Sequence, residues 1–171
     1  DRDWARGLWF KYIKAPNNCL NWDEYSMNKK VLIVDANFYQ DLASELVRGA
    51  VAELEKIGIS YERLSVPGAL EIPSAISLVS EGKDAKLFVG YIALGCVIRG
   101  ETSHYDIVCG ESARGLSKLA LDRNLAIGNG ILTVDNWEQA WARASVLKKN
   151  KGRDAAIACL SLFQIKQRYL E

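Results

Sequence analysis

From Lys30 onward, apolar residues alternate between two rhythms. Val31 to Val34 is a short continuous apolar run, the pattern of a parallel strand covered on both faces. Across Asp41 to Lys56, Leu42, Leu46, Ala50 and Leu54 recur at helical spacing towards Ile57, and Gly58 stands where a helix-ending glycine belongs. A strand is predicted over Ser60 to Val66, then the breaker Val66-Pro67-Gly68. Ile72-Pro73 opens a short helix that ends near Gly82, with proline in its first turn. Leu87 to Val97 is a second continuous apolar strand, followed by a helix over about Ser103 to Asp122 and a strand over Leu125 to Val134. Two helices, about Asn136 to Lys148 and Arg153 to Tyr169, close the chain. This order predicts a three-layer α/β/α sandwich with about four parallel strands and helices on both faces.

Residues 1–26 break the rhythm. They hold three of the five tryptophans (Trp4, Trp9, Trp22) and no clear period, and they lack both a secretory h-region and a transit-peptide composition. Met27 is the only methionine, and MNKKVLIVDA reads as an ordinary start. Residues 1–29 are therefore read as an N-terminal extension, disordered or draped on a neighbouring surface. The tryptophans favour draping, because disordered tails seldom carry so many aromatics. Residues 30–171 form a single domain, in keeping with a length of 171 residues.

Charge narrows the partners. With 22 Lys+Arg against 21 Asp+Glu the formal net charge is +1, which removes the electrostatic case for nucleic acid or an anionic membrane surface. No apolar run approaches the ~18 residues of a membrane span. Cys19, Cys96, Cys109 and Cys159 form no C-x-x-C pair, and with one histidine in the chain a Cys/His zinc site is disfavoured. Buried free thiols and a cytoplasmic location are expected.

In open α/β sheets ligands bind outside the carboxyl ends of the strands, which singles out Asp35 to Tyr39, Pro67 to Glu71, Ile98 to His104 and Thr133 to Asn136. In Leu94-Gly-Cys-Val-Ile-Arg-Gly-Glu-Thr-Ser-His104, a buried strand gives way to Gly100, Thr102 and Ser103 at a helix start. Free N–H groups and hydroxyls there suit a phosphate or carboxylate, although Thr102 or Ser103 could simply cap the helix. The segment is not a Walker loop, and no G-x-G-x-x-G follows a strand. His104, one turn into the helix, is the side chain whose ordinary pKa lets it give and take protons near neutrality, or else a surface residue. Phe38 could stack on a planar heterocycle or pack against the next helix. Glu71 could accept ligand hydroxyls or favour its helix N-terminus. Arg143 and Lys151 could each pair with a ligand phosphate or be solvated charges. The residues alone point to a phosphate-and-ring ligand with a histidine beside it, and leave the reaction open.

Together, Ala36-Asn-Phe38, Val66-Pro-Gly-Ala-Leu-Glu-Ile-Pro73, Leu94 to Asp106 with its V-I-R-G-E-T-x-H run, Gly130-Ile-Leu-Thr-Val-Asp-Asn-Trp-Glu-Gln-Ala140 and Asn150-Lys-Gly152 resemble the 6,7-dimethyl-8-ribityllumazine synthase family, also called the riboflavin synthase beta-chain family. The resemblance covers about Lys30 to Tyr169. It implies a flavodoxin-like fold and a cytoplasmic transferase of riboflavin biosynthesis. Such an enzyme condenses 5-amino-6-(D-ribitylamino)uracil with 3,4-dihydroxy-2-butanone 4-phosphate, losing phosphate and water, with no metal or organic cofactor. By resemblance, Phe38 would stack on the pyrimidine, Val97 and Ile98 would line the ring pocket, and Glu71 with its loop (Ala69, Leu70) would hold the ribityl chain. Gly100, Glu101 and Thr102 would bind the butanone phosphate with Arg143 as cationic anchor. His104 would transfer protons, and Lys151 would support the phosphate region.

Two positions depart from the family pattern, which commonly has aromatics at Leu70 and at Asn129, the latter reaching the ring from a neighbouring subunit. The resemblance also implies a homo-oligomer with sites between subunits of a pentameric ring, an N-terminal segment able to add a strand to the neighbour's sheet, and riboflavin synthase as a downstream partner. Ala144-Ser-Val-Leu-Lys-Lys-Asn150 lacks the Gly-rich turn of shell-forming members, which leans the expectation to a pentamer, single or paired. The alternative is a catalytically weak paralogue that binds a flavin or lumazine. Its argument is the missing aromatics; against it stand His104, Arg143 and the complete phosphate loop. A flavodoxin-like electron carrier would want a more phosphate-specific first loop than Asp35-Ala-Asn-Phe38.

Overall fold

The computed structural model describes residues 29–170; the expectations for residues 1–28, Cys19 and Trp4, Trp9 and Trp22 among them, lie outside the described residues. The elements run β1 (Lys30–Ala36), α1 (Gln40–Lys56), β2 (Ser60–Val66), α2 (Glu71–Ser80), a 3₁₀ turn (Ala85–Leu87), β3 (Phe88–Ile98), α3 (His104–Arg123), β4 (Ile127–Val134), α4 (Trp137–Ala144) and α5 (Lys151–Leu170). All four strands are parallel, in the order β2-β1-β3-β4.

Strand alternation divides the core in two. Val31, Ile33, Ile92, Leu94, Leu132 and Val134 face α1, α4 and α5, which contribute Leu42, Leu46, Ala140, Ala156 and Leu160. Leu32, Val34, Ala93 and Ile127 face the opposite way, onto Ile72 and Ile76 of α2 and Leu116 of α3. Three layers result, as the alternating pattern predicts, in the flavodoxin-like arrangement that the family resemblance implies. The edge strand β2 is exposed from Ser60 to Ser65.

Element ends follow from local hydrogen bonding. Gly58, at φ 73°, donates to Glu55 while Ile59 donates to Leu54, the paired bonds of a Schellman stop. Asn136 Oδ1 accepts from Gln139 N–H at 2.9 Å and Gln139 Oε1 accepts from Asp135 N–H at 3.0 Å, which fixes the start of α4. That helix stops at Ala144, four residues short of the sequence expectation, because the chain turns at Ser145 and Glu45 of α1 takes the Val146 N–H at 3.0 Å.

Strand β1 runs two residues beyond its apolar run. Asp35, expected in a loop, is wholly buried and accepts two bonds from the Arg63 guanidinium, both at 2.8 Å, and one from Ser65 Oγ at 3.0 Å. The bond that Arg63 donates to Asp35 leads the causes that raise the Arg63 pKa. The thiols also differ from expectation in one case: Cys96 and Cys159 are buried and pushed up to about 12, mainly by desolvation, whereas Cys109 on α3 is half-buried.

Close backbone approach holds α5 in place. A Cβ on Gly152 would lie 1.9 Å from the Leu46 carbonyl oxygen of α1, and one on Gly128 would lie 1.9 Å from the Ala155 carbonyl oxygen. Neither neighbour is a flexible side chain, so a methyl group must push the helix away. Gly152→Ala is therefore expected to destabilise the fold by about 1–3 kcal/mol or more. The check is a lower urea midpoint at unchanged m value; an unchanged midpoint would show that α5 can shift on α1 without loss.

Candidate active site

The carboxyl ends of the parallel strands form one rim. Two backbone bonds tie its loops in pairs: Asn37 N–H donates to Val66 O at 2.8 Å, joining the ends of β1 and β2, and Arg99 N–H donates to Val134 O at 2.9 Å, joining β3 and β4.

Phe38, in the loop after β1, is 73% exposed. Its ring meets Tyr39 edge-on at 4.9 Å, and Tyr39 in turn meets Trp137 at 6.0 Å. Tyr39 takes the packing role against the core, so Phe38 keeps a free ring face. Burial raises the Tyr39 pKa, so its hydroxyl stays protonated at neutral pH. After β2, Ala69 is buried while Leu70 and Glu71 are exposed where α2 begins, and the Glu71 carboxylate folds back beside Gly68. Val97 and Ile98 end β3 half-buried, Ile98 against the α1-side core and Val97 on the opposite face by alternation. They line the rim from two sides.

The loop Gly100 to Ser103 is exposed throughout. Among the described residues no acceptor takes the N–H groups of Gly100, Glu101 or Thr102, and a Cβ on Gly100 would meet nothing within 4 Å. Thr102 Oγ1 accepts the His104 N–H at 3.3 Å, closing a turn one residue ahead of the helix cap and leaving the hydroxyl proton free to donate. The cap residue is Ser103, whose side chain makes no capping bond. His104 is the first residue of α3 rather than one turn into it, and is exposed beside those donors. The N-terminus of a helix of 20 residues favours negative charge at this point.

Three expected residues have their hydrogen-bond or ion-pair partners outside this loop. Asn129 lies mid-strand in β4, in register with Ala93, whereas the strand end pairs Ile98 with Val134. Five residues at ~3.3 Å each separate it from the rim by roughly 16 Å. Its Oδ1 accepts the Ile131 N–H at 3.0 Å, so Asn129 is turned onto its own edge strand. Arg143 sits about 9 Å along α4 from Trp137, its guanidinium donating to Gln139 O at 3.0 Å. Lys151, at the start of α5, pairs with Asp154 at 2.8 Å. Among the described residues no three His, Cys, Asp or Glu side chains gather to hold a metal ion, and no helix is long and apolar enough to cross a membrane.

Sequence reasoning assigned no role to Tyr39, Trp137 or Arg99. The first two carry a weak signal, aromatics at the ends of two loops that the topology places on one rim. Arg99 carries none, because its partners lie on other elements.

The arrangement suits a ligand with a phosphate, a flat ring and a proton to move. Comparison with known proteins gives the same direction. The model of the 6,7-dimethyl-8-ribityllumazine synthase family matches residues 28–167. The chain is 54% identical over 155 residues to the 6,7-dimethyl-8-ribityllumazine synthase of Methylorubrum populi, covering 90% of each chain. It is 52% identical over 143 residues to that of Bartonella bacilliformis, covering 84% of this chain and 93% of the relative. It is 51% identical over 140 residues to 6,7-dimethyl-8-ribityllumazine synthase 1 of Rhizobium meliloti, covering 81% and 92% respectively. With a fold, a rim chemistry and relatives that agree over most of its length, the chain belongs to the 6,7-dimethyl-8-ribityllumazine synthase family.

Proposed function

We propose that this chain condenses 5-amino-6-(D-ribitylamino)uracil with 3,4-dihydroxy-2-butanone 4-phosphate to 6,7-dimethyl-8-ribityllumazine, phosphate and water, at the rim described above. The observation that carries the site assignment is one juxtaposition. The open N–H groups of Gly100, Glu101 and Thr102 adjoin the exposed His104 imidazole, at a rim that also presents the free ring of Phe38.

In this reading the loop and the Thr102 hydroxyl hold the phosphate with hydrogen bonds aimed before the ligand arrives. Phe38 stacks on the pyrimidine. Glu71, with Ala69 and Leu70, accepts the ribityl hydroxyls, and Val97 and Ile98 border the ring. Imine formation, phosphate elimination and ring closure are largely proton transfers between bound groups, so orientation and one acid/base residue can carry them. His104 gives and takes those protons next to the leaving phosphate.

Asn129 lies mid-strand, five residues short of its own rim, and on this reading it acts at a neighbour's rim together with Arg143 and Lys151. That supports a homopentamer with sites between subunits. The long exposed edge of β2 fits the same assembly, because an unpaired parallel edge accepts a strand from another copy. The cytoplasm suits the free thiols, and the product would pass to riboflavin synthase. The paralogue that only binds a flavin gains no support from a rim that keeps its phosphate donors and its histidine.

Steady-state turnover with both substrates, followed by lumazine absorbance, tests the reaction; pyrimidine binding without turnover would reject it. His104→Ala is expected to slow turnover several-fold to about a hundredfold with substrate KM values little changed. Unchanged turnover would remove His104 from the mechanism. Arg143→Ala should raise KM for the butanone phosphate and spare the pyrimidine; an equal loss for both would indicate failed assembly, which sedimentation would reveal.

A further inference from the structure

Arg99 separates the last residue of β3 from the phosphate loop, and three groups hold its side chain. Nη2 bonds Asp106 Oδ1 of α3 at 3.3 Å, Nε faces Asp135 Oδ1 after β4 at 3.5 Å, and Cζ lies 4.0 Å over the centroid of the Tyr105 ring. Its own N–H donates to Val134 O at 2.9 Å. The bond that Arg99 donates to Asp106 leads the causes that raise the Arg99 pKa, and the group stays charged at any working pH.

We propose that Arg99 is a positioning residue for the butanone phosphate: by bridging the first turn of α3 to the end of β4, it sets the curvature of Gly100 to Thr102 and the aim of their N–H groups. This rests on the proposed reaction and names a residue it did not use. Each contact alone is a weak surface interaction. Their value lies in geometry, because one planar fork meets two carboxylates from different elements while its face rests on the Tyr105 ring. The two carboxylates also neutralise the arginine beside the anion site, which argues that its part is to shape the loop rather than to bind phosphate directly. Backbone donors bind an anion only when they converge, and an error of about 1 Å in their placement is costly.

The test separates shaping from charge. Arg99→Met should raise both the KM for the butanone phosphate and the dissociation constant of inorganic phosphate, measured by calorimetry, about tenfold, while the pyrimidine KM stays within about twofold. Arg99→Lys should resemble Arg99→Met, because an ammonium keeps the charge and loses the planar fork. The double variant Asp106→Asn/Asp135→Asn keeps the arginine and removes two negative charges. Electrostatics alone would tighten phosphate binding, so the weaker binding expected here can arise only through the loop. In the Arg99→Met background the aspartate changes should add little. Tighter phosphate binding in the aspartate variant, full rescue by lysine, or fully additive effects would overturn the proposal. So would equal losses for both substrates with unchanged secondary structure. Calorimetry with inorganic phosphate needs no turnover, so an inactive wild-type chain would unseat the reaction and still leave Arg99 tested.

Discussion

Parallel strands share a direction, so their carboxyl ends lie on one edge, and all four loops there are brought together by the register of the sheet. Strand β3 is the axis of that register. It pairs with β1 on one side and β4 on the other, and its last pair, Ile98 with Val134, is extended by the bond from Arg99 N–H to Val134 O. That bond makes the start of the phosphate loop a continuation of the sheet. A slip of one residue in β3 would turn every core side chain of the strand to the wrong layer. It would also move Gly100 to Thr102 away from Asp135 and the rest of the rim.

The helical layer has a different constraint. Helix α5 touches backbone at Gly128 and Gly152, with no side chain between. Such contact leaves little freedom in the placement of α5, and through Asn150, which caps it by accepting the Arg153 N–H at 3.2 Å, it fixes the turn that follows α4. Arg143 and Lys151 flank that turn. Their positions are therefore set by close packing in the layer of α1, α4 and α5, and those of the phosphate donors by strand pairing. If the two groups serve one reaction, they belong to two rigid systems, and their meeting depends on how copies of the chain dock.

How much of this was legible in the sequence follows from how local each cause is. The apolar runs of β1 and β3, the glycine stop after α1 and the strand-end loops depend on neighbouring residues, and they emerge at nearly the observed positions. Asp35 does not: an acid after an apolar run reads as the end of a strand, and its burial depends on Arg63 and Ser65 of the adjacent strand. The early end of α4 depends on Glu45, about a hundred residues away in the chain. The motif around Gly100 to His104 was readable as an anion site, but whether Thr102 capped the helix or served a ligand was not. The Thr102 hydroxyl closes a turn onto the His104 N–H with its proton still to give, and no side chain caps the helix.

The same distinction applies to charge: the cationic side chains considered for the proposed phosphate site are each engaged within the chain. Arg99 is held by two aspartates, and Arg143 and Lys151 are engaged within their own helices. Backbone N–H groups carry partial charge that cannot be titrated, and they need no side-chain ordering when the ligand binds. Their weakness is that only geometry makes them strong. In a reaction whose product includes free phosphate, a site made of converging dipoles also has an advantage over one made of close full charges. On the proposed reaction, such a site would hold the substrate for proton transfer without binding the departing anion so tightly that release becomes slow.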